Sequence, residues 1–287
     1  MDKTANEILL EEQEYWVKKT LKEYWCDTIL KESNGKLCAD KDKILSHPFY
    51  LGLTDEYIIR LDGKKRIMIV GQEPMGYGSI CDGTARYDFI KSCTAQDCEK
   101  DTNESKNSQQ WAIAYLIKQL YGEDAYLPEC YNKKIKYNSS PFWNIFRLLK
   151  DEYVLCWNNL DKVYFVETGE LTYEAEKKLS ECYAKEGEVE KRSLLQREIK
   201  LAEPDLVLFV TGPKYNVSMN VAFGLKDELD SVKPSSNKKL IPITDIAKLT
   251  SNTKSEYIPA FWTYHPNYLS HNKVLNEIIN EIKGVKL

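Results

Sequence analysis

RIMIVGQEPMG, residues 66–76, decides how the rest of the chain is read. Arg66 to Gly71 is apolar with no polar alternation, the composition of a strand covered on both faces. It stops at Gly71, Gln72, Glu73 and Pro74, followed by Met75 and a second glycine. A carboxylate two residues past a buried strand stands where parallel sheets open their sites, beyond the carboxyl ends of the strands. Working outward, YVLCWNN from Tyr153 and DLVLFVTG from Asp205 have the same character, and YIPAFWTYHP, residues 257–266, carries a fourth strand. Helical patterns separate them: Gln109 to Tyr121, Pro141 to Lys150, and Leu171 to Leu201 with a break near Gly187. Alternation of this kind predicts βαβ units and a parallel sheet under helices.

The flanks complete the reading. Asn6 to about Ser33 is charged, with Trp16, Leu21, Tyr24 and Trp25 at near-helical spacing, and predicts an amphipathic N-terminal helix. Asn272 to Ile282 predicts a closing helix, while Lys226 to Lys254 is lysine-rich and predicts a surface excursion. A chain of 287 residues with 43% hydrophobic residues is long enough for one large core, so we expect one domain over 1–287 with a helical extension over about 1–50.

Charge and cysteine usage bound the function classes. A formal charge of -4 argues against a bulk polyanion binder, although a local basic groove fits inside an acidic average. The eight cysteines include no CxxC pair, and the N-terminus has no apolar signal core, so a reduced, cytoplasmic protein is expected. No run approaches the roughly 20 apolar residues of a membrane span, so no membrane partner is expected. Cys81, Cys93, Cys98 and Cys130 are unevenly spaced and fit no zinc or iron–sulfur pattern. The turn after Gly71 lacks the Gly-Lys-Ser/Thr ending of a phosphate-binding loop, and its glycines are misplaced for the dinucleotide fingerprint. With His47, His265 and His271 as the only histidines and no cysteine in a nucleophile elbow, a cysteine–histidine hydrolase is a weak reading.

Four strand ends carry chemistry: Gly71-Gln72-Glu73, Trp157-Asn158-Asn159, Thr211-Gly212 and Tyr264-His265-Pro266. On one edge they would make one pocket. In order and position, VGQEPMG, SPFWNIFRLL, VLCWNN, LVLFVTG and HPNYLS resemble the motifs of the uracil-DNA glycosylase superfamily, over roughly Arg66 to Ser270. The best-known members carry Gly-Gln-Asp-Pro-Tyr-His first and His-Pro-Ser-Pro-Leu-Ser last. The resemblance implies a three-layer α/β/α sandwich with a short central parallel sheet. It also implies a monomeric, metal-independent hydrolase, without cofactor, that removes deaminated bases from DNA. Such an enzyme extrudes a base at a cost of a few kcal/mol and cleaves its N-glycosidic bond through an oxocarbenium-like state.

The same resemblance implies residue roles. Glu73 would position the attacking water and stabilise the cationic sugar, and His265 would donate to the uracil oxygen as the anion forms. Gly71, Gln72, Pro74, Met75 and Phe89 would line the base pocket, and Asn158 would pair with the uracil edge, with Asn159 as its neighbour in the count. Leu269 would be the apolar wedge that fills the vacated stack, and Ser140, Pro266 and Ser270 would meet the DNA backbone. The chain also departs from the motifs. Glu73 replaces an aspartate, and a misplacement of about 1 Å costs ~100-fold in rate. Met75 stands where a tyrosine excludes the thymine methyl, Tyr87 and Phe89 compete for the stacking aromatic, and Asn267 and Tyr268 replace a serine and a proline of the wedge loop. Two rival readings keep the pocket. One is a repurposed member that binds nucleotide or nucleic acid without catalysis, the other a nucleoside hydrolase.

Overall fold

A computed structural model describes residues 3–22, 51, 53, 55–60, 63–72, 141–163, 173–224, 240–243 and 258–287. Five strands form one sheet: β1 (Lys65–Gly71), β2 (Tyr153–Asn159), β3 (Leu206–Phe209), β4 (Leu240–Pro242) and β5 (Ala260–Thr263). Their spatial order is β2-β1-β3-β5-β4. The first four in that order run parallel, and β4 joins the edge antiparallel to β5.

The sheet is therefore mixed, which corrects the expectation of a purely parallel one. The antiparallel strand comes from the lysine-rich stretch read as a surface excursion. Leu240 and Ile243 are buried there, and Ile241 faces Trp262 in the pairing. Pro242 has no N–H to donate, which an edge strand tolerates.

Strand alternation sends successive side chains to opposite faces, and helices cover both. Met68, Val70, Cys156, Val207, Phe209 and Trp262 pack with Leu9, Leu195, Ile199 and Met219 on one side. Ile67, Ile69, Leu155, Trp157 and Leu208 pack with Ile145, Phe146, Leu275 and Ile278 on the other. A side chain buried completely in such a layer contributes about 1.5–3 kcal/mol relative to exposure.

The helices begin and end where the sequence provides partners for their free backbone groups. Thr4 and Glu7 form a reciprocal cap on the helix Ala5–Trp16, which runs on into a wider turn, Val17–Lys22. That helix is no appendage, because Leu9 and Trp16 are buried and Gln13 donates to Glu198 of the helix Leu194–Ala202. Ser193 and Gln196 cap Leu194–Ala202 in the same reciprocal way. The expected break near Gly187 is wider than a kink. The helix Tyr173–Ser180 is followed by a β-bridge, Tyr183 to Arg192, and Gly187 takes φ 84° within that loop.

Candidate functional site at the carboxyl edge of the sheet

Register places the chemistry. Gly71 pairs with Asn159, Val70 with Phe209, and Phe209 with Trp262, so four parallel strands end along one edge. Beyond the ladders, the Gln72 amide nitrogen donates to the Thr211 carbonyl at 2.7 Å and ties the end of β1 to that of β3. Gly212 N–H donates to the Thr263 carbonyl at 3.2 Å. Gly212 sits at φ 71°, and a Cβ there would come within 3.3 Å of the His265 nitrogen, so glycine lets the β3 and β5 ends close up. Gly71, Gln72, Asn158, Asn159 and His265 therefore belong to one edge. β2 and β5 stand three strand spacings apart, roughly 14 Å.

The two asparagines at the end of β2 point to opposite faces and meet opposite fates. Asn158 is fully buried. Its Nδ2 donates to Glu198 Oε2 at 3.0 Å, and its Oδ1 accepts from the Asn159 backbone N–H at 2.8 Å and from Lys162 Nζ. Glu198 accepts from Gln13 at 2.9 Å and pairs with Lys162 at 2.5 Å, both charges being buried. Burial pushes the Lys162 ammonium below its ordinary pKa, while Glu198 acts in the other direction. A cavity of about 20 Å³ adjoins this network, lined by Trp16, Lys162, Ser180 and Ser193 among others. It is large enough for one water. Asn158 thus has no donor or acceptor left for a base, which corrects its assignment as the base reader.

Asn159 lies on the other face, 1% exposed. Its Oδ1 accepts from Trp157 Nε1 at 3.0 Å, and its Nδ2 has no acceptor among the described residues. Leaving a buried donor unmatched costs about 1–3 kcal/mol. The backbone of Gly71 lies directly against this amide: a Cβ at 71 would sit 2.7 Å from Asn159 Oδ1, 3.3 Å from Phe142 and 3.4 Å from Trp157 Nε1. Phe142, partly exposed, stands edge-on to Trp157 with ring centroids 5.6 Å apart. Sequence reasoning missed Phe142 as a site residue, although it lies within SPFWNIFRLL. Its signal is the position at the start of the helix Pro141–Leu149.

At the far end of the edge, His265 precedes the short helix Pro266–His271. Its Nδ1 accepts from the Asn267 N–H at 3.2 Å. The neutral ring then carries its proton on Nε2, a donor directed away from the cap. Burial holds the imidazole below its ordinary pKa and so favours this neutral form. Pro266 is buried at the first helical position, and Ser270 is exposed. Leu269 is 0% exposed and packs in the same cluster as Ile145, Phe146 and Leu275. It is a core residue, which corrects its assignment as the wedge. HPNYLS folds into a helical turn, and the turn puts the leucine inward. The side chain it turns outward is Tyr268, 43% exposed and stacked on Tyr264 with centroids 4.2 Å apart.

Glu73, Pro74, Met75, Tyr87, Phe89 and Ser140 lie outside the described residues. Among the described residues no group of three or more His, Cys, Asp or Glu is placed to hold a metal, and no helix is long and apolar enough to cross a membrane. Compared with protein-family models and with curated proteins, the chain matches none.

Proposed function

We propose that this chain is a monofunctional DNA glycosylase that hydrolyses the N-glycosidic bond of uracil or a related deaminated base. The observation that carries the reading is the Asn159 amide, a buried donor without an acceptor among the described residues, at the strand edge that also holds Gly71, Gln72 and His265. In this reading Asn159 Nδ2 donates to a carbonyl of the extruded base. His265 Nε2–H donates to the oxygen on which negative charge develops as the bond to the sugar breaks and its electron pair leaves with the base. A neutral imidazole suits that task, since the base then departs as a stabilised anion without an obligatory proton transfer. Gln72 acts indirectly, through the Thr211 carbonyl that joins β1 to β3. Phe142 supplies an aromatic edge beside the Gly71 backbone. Glu73, one residue further on, takes the water-orienting role that the motif resemblance gives it.

The test is alkaline cleavage of single- and double-stranded oligonucleotides carrying uracil, hypoxanthine, xanthine or a thymine mismatch. Wild type is expected to cleave at one or more of these, and His265→Ala to lower the single-turnover rate by at least ~100-fold, the loss of about 2.7–4 kcal/mol typical of one such donor. DNA affinity should barely change. No cleavage of any substrate by wild type would end the reading. The burial of Leu269 favours a second reading, a pocket for free nucleosides, because it removes the residue that tied the motifs to a stacked duplex. Hydrolysis of free deoxyuridine with none in oligonucleotides would select it.

A further inference from the structure

We infer that Trp157 sets base specificity by locking the Asn159 amide in one orientation, an inference that rests on the glycosylase reading. An asparagine amide can normally rotate by half a turn and exchange its oxygen for its nitrogen, so by itself it accepts either a carbonyl or an amino group. Here it cannot. An indole N–H is a donor only, so the atom 3.0 Å from Trp157 Nε1 has to be the oxygen. Asn159 is 1% exposed and Trp157 8%, so water does not compete for the bond. Turning the amide over would set donor against donor in a buried place.

Two further contacts hold the pair. Gly71 lets the amide lie on the strand, since a Cβ there would stand 2.7 Å from Oδ1. From the opposite face, Asn158 Oδ1 grips the Asn159 backbone N–H at 2.8 Å and is itself fixed by Lys162 and Glu198. Among the described residues nothing accepts from Nδ2, which is the donor left for a ligand. A ring that offers a carbonyl at that place is accepted, and one that offers an amino group is refused. Deamination makes that exchange: the amino group of cytosine becomes the carbonyl of uracil, and that of adenine the carbonyl of hypoxanthine. Trp157 is in these terms a positioning residue that makes the pocket a detector of lost amino groups.

The closing experiment compares wild type, Trp157→Phe and Asn159→Asp. For each, kcat/KM is measured on otherwise identical oligonucleotides carrying uracil or cytosine, and calorimetry measures binding of free uracil and free cytosine. Thermal midpoints report whether the variants fold. Trp157→Phe keeps a ring against Phe142 and removes the N–H. It should lower the uracil-to-cytosine ratio by about tenfold or more, where a merely structural role would lower both rates together and leave the ratio alone. Asn159→Asp keeps the shape, uses one oxygen for Trp157, and presents an acceptor, so it should move the ratio toward cytosine even if Trp157→Phe does not fold. An unchanged ratio in a folded Trp157→Phe, or in Asn159→Asp, overturns the lock while leaving the glycosylase standing. A wild type that cleaves nothing but binds uracil over cytosine, with the preference lost in Trp157→Phe, keeps the lock and sinks the glycosylase. Binding of neither base, with no cleavage, sinks both.

Discussion

The two faces of the sheet beside the end of β2 are built from different materials. One is polar and ion-paired: Gln13 and Asn158 donate to Glu198, which pairs with Lys162, all of them buried. The other is aromatic, with Phe142 and Trp157 closing over Gly71, and the Asn159 amide nitrogen there has no acceptor among the described residues. Neighbouring residues of one strand thus serve separate ends. A change in the ion-paired network is expected to cost stability, and one at the Asn159 amide to cost the recognition proposed for it.

The largest effect should come from breaking the ion-paired face. Glu198→Ala removes the buried carboxylate paired with Lys162, and truncating one member of a buried pair costs about 3–5 kcal/mol. Chemical denaturation should register it as a lower midpoint. Replacing both charges, as in Lys162→Met with Glu198→Met, should recover most of that loss, because apolar residues of similar volume are often neutral in place of a buried pair. A double variant as unstable as Glu198→Ala would mean that Asn158 and Gln13, not the ion pair, hold the face.

A smaller effect is expected on the aromatic face. Gly71→Ala drives a methyl into Asn159 Oδ1 at 2.7 Å. Overpacking of this kind costs about 1–3 kcal/mol. Base excision should fall further than stability does, since the displaced amide is the proposed reader. Equal residual activity after correction for the folded fraction would blur the division between the faces.

The smallest effect is a pH dependence at His265. Burial lowers its pKa in the folded chain below the ordinary 6.5. Below about pH 6.5 the unfolded chain takes up a proton that the folded chain refuses, so stability falls as pH drops through that window toward the folded pKa. His265→Asn should flatten this part of the curve relative to wild type, as read by denaturation midpoints at a series of pH values. A wild-type curve with no slope there that His265 accounts for would place the ring in a more aqueous setting than its burial indicates.

These contrasts also mark what the amino-acid sequence makes legible. β1, β2, β3 and β5 are plain in it, because strands covered on both faces must be apolar throughout. That same uniformity hides the phase of the pleat. With both faces buried, YVLCWNN has no polar alternation to tell which asparagine faces which layer, and a slip of one residue exchanges the faces. Counting from the strand therefore points to Asn158, whereas the amide without an acceptor among the described residues belongs to Asn159. β4 escaped because three residues inside a lysine-rich stretch give no period to count. Leu269 is hard to place for another reason: Pro266 starts a helix there, and a helical turn sends Tyr268 outward and Leu269 inward. The convergence of Gly71, Gln72 and His265 on one edge was readable from the strand ends alone, since parallel strands must end on the same side.

The hydrogen bond from Gln13 to Glu198 spans 185 residues of chain. During synthesis the helix that carries Gln13 is complete long before its partner exists. At about 5–20 residues per second, the interval is roughly 10–40 s. Through that time the helix has only its nearer partners: Leu9 packs with Leu51, Leu53 and Tyr57, and Asn6 and Gln13 donate to the Leu53 and Leu51 carbonyls. The helix can therefore dock on the segment around Leu51 and Leu53 first, and its bond to Glu198 is the last of these contacts that synthesis allows.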